Sequence, residues 1–210
     1  MKTIFLFVSV LSFILFAAVF SCQYLESGLC APIGDYASAL GSGAIHLALL
    51  SLALYFLWRG DAASTMRSVG FPGRRKDNAF YSVMTLSAIF LVLFCLGVAA
   101  VLFGFNDQQK VSEKIGSLPL AVLLFAVIGA PVTEELFFRG FLTGRAGVVL
   151  SSVVFGLMHF AYGSVVEVLG AFAIGLVLAM SFRLTKSITP CIVAHMAYNA
   201  MSIIFMRLLM

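Results

Sequence analysis

The chain of 210 residues is 62% hydrophobic and only 10% charged, and its mean hydropathy is +1.09. A soluble domain cannot cover that much apolar surface, so the composition excludes the soluble classes and indicates a polytopic membrane protein. The formal net charge of +4 comes from short basic anchors and not from a basic stripe interleaved with aromatic residues, so we expect the lipid bilayer as a partner and no nucleic acid.

Apolar runs long enough to cross a bilayer follow one another along the chain. A spanning helix needs about 20 residues at a rise of ~1.5 Å per residue. We therefore predict an all-α, polytopic transmembrane helix bundle of about seven spans, or eight, at 3–21, 40–58, 79–103, 118–141, 147–162, 165–183 and 188–207. The first span is either an uncleaved helix, which we favour, or a signal peptide. The longer segments between spans are expected to be ordinary connectors.

Motifs and charge give the chain a coarse organisation. We predict that residues 1–117 form transmembrane helices without motifs and that residues 118–210 form a catalytic helical core. The two parts are expected to make up one membrane domain. The 59–78 loop is rich in Arg and Lys and the 22–39 loop has none, so the positive-inside rule places the N-terminus in the cytoplasm. Cys22 and Cys30 flank the outer loop, where an oxidising compartment would allow them to pair.

Ionisable side chains inside spans are functional candidates by default. Glu135 and Arg139 are four residues apart and share a helix face, so they can pair. Glu134 lies about 100° round the helix from Glu135. We therefore predict that one glutamate holds the arginine while the other points into a cavity. His195 and Asn199 have the same four-residue spacing and also share a face.

Depth in the bilayer links these candidates to one another. Counted from the cytoplasmic helix ends, His195 lies ~14 Å deep, Glu134 ~16 Å, His159 ~18 Å and Asn199 ~20 Å. Polar groups that only pack helices together would be scattered in depth. Matched depth predicts a single cluster near the middle of the membrane, contributed by three helices.

The residue types in this cluster suit hydrolysis of a carbonyl compound by water. A glutamate with a histidine can deprotonate a water molecule, directly or through a metal. A second histidine and an asparagine amide can donate hydrogen bonds to a developing oxyanion. Two alternatives stay open at this point: the polar groups serve only to pack helices, or they form an ion or proton path.

Three short motifs resemble those of a known family. EELFFR at 134–139 resembles EExxxR, FGLMH at 155–159 resembles FxxxH, and HMAYN at 195–199 resembles HxxxN. In this order on successive helices, they resemble the CPBP or Abi family of intramembrane endopeptidases, which includes the type II CAAX prenyl endopeptidases. The resemblance covers about residues 118–205.

The resemblance implies a role for each matching residue. Glu134 would activate the water with help from His159. His195 and Asn199 would line the oxyanion site. The remaining two motif residues would support the first glutamate and shape the pocket, and they are Glu135 and Arg139.

The resemblance leaves the metal and the substrate open. If a metal is present, the expected zinc ligands are Glu134, His159 and His195, with a water in the fourth position. No HExxH occurs in the chain, and we favour no tightly bound metal. Expected substrates are a prenylated CAAX tail, a lipophilic peptide precursor or another membrane-associated peptide. The alternative functions are a non-catalytic immunity or scaffold protein and a small ion-coupled transporter.

Overall fold

The architecture is a helical bundle, which confirms the predicted all-α fold. The computed structural model describes residues 1–24, 37–73, 75–105 and 107–208. Within those ranges the regular elements are α1 Lys2–Tyr24, α2 Ala37–Leu57, α3 Ala62–Ser68, α4 Arg75–Leu102, α5 Gln109–Ser117, α6 Leu120–Glu135, a π-helical segment Leu136–Leu142, α7 Thr143–Met158, a 3₁₀ turn His159–Tyr162, α8 Val165–Thr185 and α9 Thr189–Leu208.

Long apolar helices make this an integral membrane protein. Among the described residues, six helical stretches are long and apolar enough to cross a bilayer: Lys2–Ser21, Ala39–Leu57, Asp77–Leu102, Leu120–Tyr162, Val165–Thr185 and Thr189–Leu208. Large apolar side chains point outward along them, as Phe94 on α4 and Phe7 on α1 do with 70% and 64% of their surface exposed. Such exposure suits contact with lipid, where an apolar exterior carries no cost.

The run Leu120–Tyr162 differs from the prediction, which placed two separate spans there. Its 43 residues are helical almost throughout, but Gly147 has φ 83° and ψ 174°, which is not helical. Thr143 and Ser151, on either side of Gly147, bring their hydroxyl oxygens to 2.9 Å. Eight residues of straight helix would separate them by ~12 Å. The chain therefore turns back at Gly147, and the run corresponds to the two predicted spans.

The described chain folds into two compact units, and the first is Met1–Thr65. Within it, α1 and α2 pack along each other, and the Ser9 hydroxyl donates a hydrogen bond of 3.2 Å to the Ala48 carbonyl. The rings of Phe5 and Trp58 meet edge to face at 5.3 Å. The boundary at residue 117 between motif-free and catalytic parts stays a prediction.

The second unit is Met66–Met210, and it contains all the motif helices. Buried polar contacts join its helices. Thr85 on α4 and Ser181 on α8 place their hydroxyl oxygens 2.7 Å apart. The Cys191 thiol on α9 donates to the Leu178 carbonyl on α8 at 3.3 Å. These contacts fix how α4 and α9 lie against α8.

Two glycines allow α7 and α8 to approach closely. A Cβ added to Gly156 on α7 would lie 2.9 Å from the carbonyl oxygen of Val168 on α8. A Cβ added to Gly175 on α8 would lie 3.1 Å from the Cα of Ser152 on α7. Small residues at helix contacts are the usual way to bring backbones together in membranes. The approach holds the π-helical segment and α7 against α8.

The loops between spans are not plain connectors, contrary to expectation. The 59–78 loop contains α3, and the 104–117 loop contains α5. Lys114 on α5 donates from Nζ to the Ala161 carbonyl at 2.7 Å, and Lys110 donates to the Gly163 carbonyl at 3.3 Å. Helix α5 is thus bound to the 3₁₀ turn and the glycine that follows it.

Asp107, just before α5, caps the N-terminus of α8. Its carboxylate accepts hydrogen bonds from the Ser164 hydroxyl at 2.7 Å and from the backbone N–H groups of Val165 and Val166 at 2.6 and 3.4 Å. The Ser164 hydrogen bond, reinforced by these N–H groups, lowers the pKa of Asp107 below its ordinary value. The residue holds the connector and α8 together and sits favourably at the helix dipole.

The predicted pairing of Cys22 with Cys30 is not tested by the described residues. Cys30 lies outside the described ranges, so pairing of Cys22 with Cys30 stays a prediction. Cys95 and Cys191 are free thiols, exposed and buried respectively.

Candidate active site

Glu135 and Arg139 form the buried centre of the polar cluster. Their side chains are 0% and 1% exposed, and Glu135 Oε1 lies 2.9 Å from Arg139 Nη1, as the four-residue spacing predicts. Arg139 Nη2 also donates to the Gly175 carbonyl on α8 at 3.3 Å. The pair therefore joins the α6–π-helix junction to α8, and π-helical turns of this kind are common at functional sites.

His195 on α9 contacts both glutamates. Its Nδ1 lies 2.9 Å from Glu135 Oε1, and its Nε2 lies 3.7 Å from Glu134 Oε2. Because an ionised carboxylate can only accept, Nδ1 carries the proton in the first contact. The second distance is too long for a direct hydrogen bond. Glu135 therefore orients the imidazole, and the other ring nitrogen is directed at Glu134.

The ring of Phe155 packs against three side chains of the polar cluster. The Arg139 guanidinium carbon lies 4.7 Å from its ring centroid, within the range of a cation–π contact. The His159 ring lies 5.0 Å from the same ring, and the His195 ring lies 5.8 Å from it. Phe155 is only 2% exposed. One buried ring thus touches the arginine and both imidazoles.

His159 and Asn199 are held by backbone carbonyls of neighbouring segments. His159 follows the last residue of α7, and its Nδ1 lies 2.9 Å from the Phe155 carbonyl. The Nε2 edge of the ring is then available for other contacts. Asn199 donates from Nδ2 to the Ala126 carbonyl on α6 at 2.8 Å, which leaves its amide oxygen out of that bond.

A cavity of about 90 Å³ lies beside this cluster. Its polar lining comprises His159, Tyr162, Glu167, His195, Tyr198, Asn199 and Ser202. Helix α5 contributes Val111 and Ile115 to the wall, and α6 contributes Leu123 and Ala126. At roughly 30 Å³ per water molecule in the liquid, the volume suits about three waters. The lining therefore combines polar and apolar side chains.

The predicted cluster is assembled from helices far apart in sequence. His195 meets both glutamates, and Phe155 meets both histidines. Glu135 holds the arginine and is fully buried, whereas Glu134 is 12% exposed. The expected orientation of Glu134 into a cavity stays a prediction. The catalytic roles of these residues stay predictions. The cavity lining also includes Tyr162, Glu167 and Tyr198, which belong to none of the key positions of the three motifs and were not among the predicted site residues.

The conditional zinc set does not fit the arrangement. Among the described residues, no three His, Cys, Asp or Glu side chains are placed so that they could hold a metal ion together. Both nitrogens of His195 face carboxylates, and Nδ1 of His159 faces the carbonyl of its own helix. A metalloprotease assignment therefore has no support in these side chains, and the chemistry below uses protein groups and water.

A comparison with known families bears on the same helices. Residues 116–201 match the family described as type II CAAX prenyl endopeptidase Rce1-like. This part of the chain is therefore similar to an Rce1-like domain. No curated protein and no solved structure matches the chain. The Rce1-like match begins just before α6 and ends in α9, so it contains every residue of the EELFFR, FGLMH and HMAYN motifs. At the level of the family, the Rce1-like domain is that of a protease acting in the membrane.

The Rce1-like domain also accounts for the choice of residue types. A carboxylate near an imidazole nitrogen can take a proton from water, and two further donors at a cavity wall can stabilise negative charge. The Glu135–Arg139 pair is fully desolvated, and removing either partner would leave a buried charge. The site therefore combines a rigid ion pair with side chains that face a chamber.

Proposed function

We propose that this Rce1-like protein is an intramembrane endopeptidase in which Glu134, with His159, activates a water molecule that attacks a peptide carbonyl. The observation that carries the proposal is the position of His195, which lies between both glutamates and lines the cavity together with His159 and Asn199. Two imidazoles and an amide around a water-sized chamber, with the Glu134 carboxylate 3.7 Å from one imidazole, suit hydrolysis better than helix packing alone.

In the proposed reaction, Glu134 takes a proton from water as the oxygen attacks the scissile carbonyl. Oxyanion charge develops within reach of His195 and Asn199. His195, protonated on both ring nitrogens at this stage, donates from Nε2, and Asn199 donates the second hydrogen of Nδ2. The proton then passes to the leaving amine as the C–N bond breaks. Glu135 and Arg139 take no part in proton transfer and position His195.

The proposed substrates are membrane-associated peptides, either a prenylated CAAX tail or another lipophilic peptide segment. The apolar side chains that α5 and α6 contribute to the lining support a lipophilic substrate, because an alkyl or prenyl group against them leaves no buried polar group unpaired. We further propose that the cut falls near the middle of the membrane, with the N-terminus of the chain in the cytoplasm.

The test is cleavage by purified protein in liposomes. Wild type, Glu134→Gln, His159→Ala and the exposed control Glu113→Gln are incubated with a farnesylated CAAX peptide and with a transmembrane peptide, and products are identified by mass spectrometry. Glu134→Gln should lose about 10²–10⁴ in rate, the contribution of a general base, and should unfold at the wild-type temperature.

Two results would replace this proposal. Cleavage by Glu134→Gln at the wild-type rate would remove the residue from the mechanism. An absence of cleavage by well-folded wild type on either peptide, combined with pH-dependent ion flux into the same liposomes, would favour the transporter.

A further inference from the structure

Glu167 is an acidic residue in the cavity that the proposed reaction does not use. It is the only Asp, Glu, Lys or Arg among the described residues that line this chamber. It lies in the first turn of α8, and its surroundings include the two tyrosines Tyr162 and Tyr198. The other lining side chains are apolar or carry hydroxyl, amide or imidazole groups. The carboxylate of Glu167 therefore gives the cavity lining a negative formal charge.

Local structure would ordinarily occupy this carboxylate in helix capping. Ser164 is the N-cap of α8, and Glu167 stands three residues later, which is the spacing of a capping box. In a capping box, the glutamate reaches back to the N-cap backbone. Here the Ser164 hydroxyl accepts from the Glu167 N–H at 3.0 Å, while Asp107 from the α4–α5 connector binds the Ser164 hydroxyl and two N–H groups of the first turn. Ser164 and Asp107 together satisfy the N–H groups of Val165, Val166 and Glu167, and the Glu167 carboxylate lines the cavity.

The basic side chains near this end of the second unit have other partners. Lys114 and Lys110 on α5 donate to the carbonyls of Ala161 and Gly163. Arg139 is paired with Glu135 deeper in the bundle. Among the described residues, the Glu167 carboxylate forms no ion pair and no hydrogen bond.

An uncompensated carboxylate on the wall of a membrane cavity is costly unless a cation reaches it. The apolar wall beside it suits an aliphatic stem, as lysine and arginine side chains have. We propose that Glu167 is a specificity-determining residue that binds the ammonium or guanidinium group of a basic substrate side chain near the scissile bond. This inference rests on the proposed peptidase function.

The experiment compares matched peptides and matched variants. Each residue flanking the scissile bond of a cleaved peptide is replaced in turn by Lys or by Met, which has a stem of similar length without charge. Wild type should prefer the Lys peptide at one position by about tenfold in kcat/KM, the size of a charge-assisted hydrogen bond. Glu167→Gln should bring the ratio close to one, and Glu167→Asp should keep a preference for Lys.

Exposed Glu113→Gln is the matched control, since it removes the same charge from α5 outside the cavity lining. It should retain the wild-type ratio. Folding is checked by thermal unfolding, and if Glu167→Gln is poorly folded then Glu167→Met takes its place. A Lys-to-Met ratio that Glu167→Gln or Glu167→Met leaves at the wild-type value would overturn the inference.

A binding measurement separates this inference from the proposed function. Fluorescent Lys and Met peptides are titrated onto Glu134→Gln and onto Glu134→Gln/Glu167→Gln in liposomes. Tighter binding of the Lys peptide to the single variant but not to the double variant supports the role of Glu167 even if wild type cleaves nothing. Cleavage that needs Glu134, with equal binding of both peptides to both variants, keeps the peptidase and removes the specificity role.

Discussion

The packed side of the polar cluster differs from its cavity side, although Glu135 and Glu134 are neighbours in the chain. On the packed side, Glu135 and Arg139 are 0% and 1% exposed and bind α8 and α9 directly. On the cavity side, Glu134 is 12% exposed, and His159 and Asn199 line a chamber. Adjacent residues on a helix face directions about 100° apart. One short motif thus supplies both a buried ion pair and a second carboxylate that the packing leaves partly exposed.

The largest expected effect on stability comes from breaking the packed side. Glu135→Gln leaves Arg139 buried without its counter-charge, and the loss should be about 3–5 kcal/mol of unfolding free energy. The double variant Glu135→Gln/Arg139→Met removes both charges and should recover part of that loss. Thermal or denaturant unfolding in detergent measures both, with Glu134→Gln as the neighbouring control.

The two glutamates would prove equivalent if Glu135→Gln and Glu134→Gln lowered stability by the same amount. That result would contradict the division between a packed side and a cavity side. A double variant less stable than Glu135→Gln would show that the ion pair is not what holds these helices.

A smaller effect is expected at the close contact between α7 and α8. Gly156→Ala places a Cβ 2.9 Å from a backbone oxygen and should cost about 1–3 kcal/mol of stability through overpacking. Gly144→Ala is the matched control, because a Cβ there meets nothing within 4 Å. Unfolding of the two variants side by side measures the difference. Equal stabilities would mean that α7 and α8 adjust freely and do not fix the cavity.

The smallest effect is expected at the mouth of the cavity, where Asp107 caps α8. Its pKa is lowered in the folded protein, so its stabilising contribution is present above the unfolded value near 3.8 and is lost as the pH falls through the lower folded value. Asp107→Ala should therefore increase hydrogen exchange in α5 and in the first turn of α8 at neutral pH. Wild type should approach the variant only well below pH 4, at about the depressed folded pKa.

Exchange rates are compared between wild type and variant at each pH, so that the intrinsic pH dependence cancels. Glu113→Ala, on exposed α5 surface, should exchange as wild type does. A ratio of Asp107→Ala to wild type that is the same at all pH values would remove Asp107 from this contact.

The helices and the motif residues could be predicted from the sequence because both depend on local pattern. Span positions follow from runs of apolar residues, and the Glu135–Arg139 pair follows from helical spacing. Matched depth also brought His195 to the glutamates. These predictions needed only the rise and pitch of a helix.

Features that depend on how the helices rotate and pack could not be predicted from the sequence. The turn at Gly147 has a positive φ, which any glycine can adopt, so the sequence does not indicate it. The apolar pattern in the 104–117 segment is too short to predict α5. The contact of Asp107 with the N-terminus of α8 joins residues 57 or more positions apart, and no local pattern indicates it. Long-range partners of this kind are fixed by tertiary packing.

The central claim is that a water molecule activated at Glu134 cleaves the peptide bond directly. Its most direct test is single-turnover cleavage in ¹⁸O-labelled water, with the intact protein mass followed through the reaction. The account predicts one solvent oxygen in the new carboxyl group, no acyl adduct on the protein at any time, and no product from folded Glu134→Gln. An acyl adduct on wild type, or labelled product from Glu134→Gln at the wild-type rate, would contradict it.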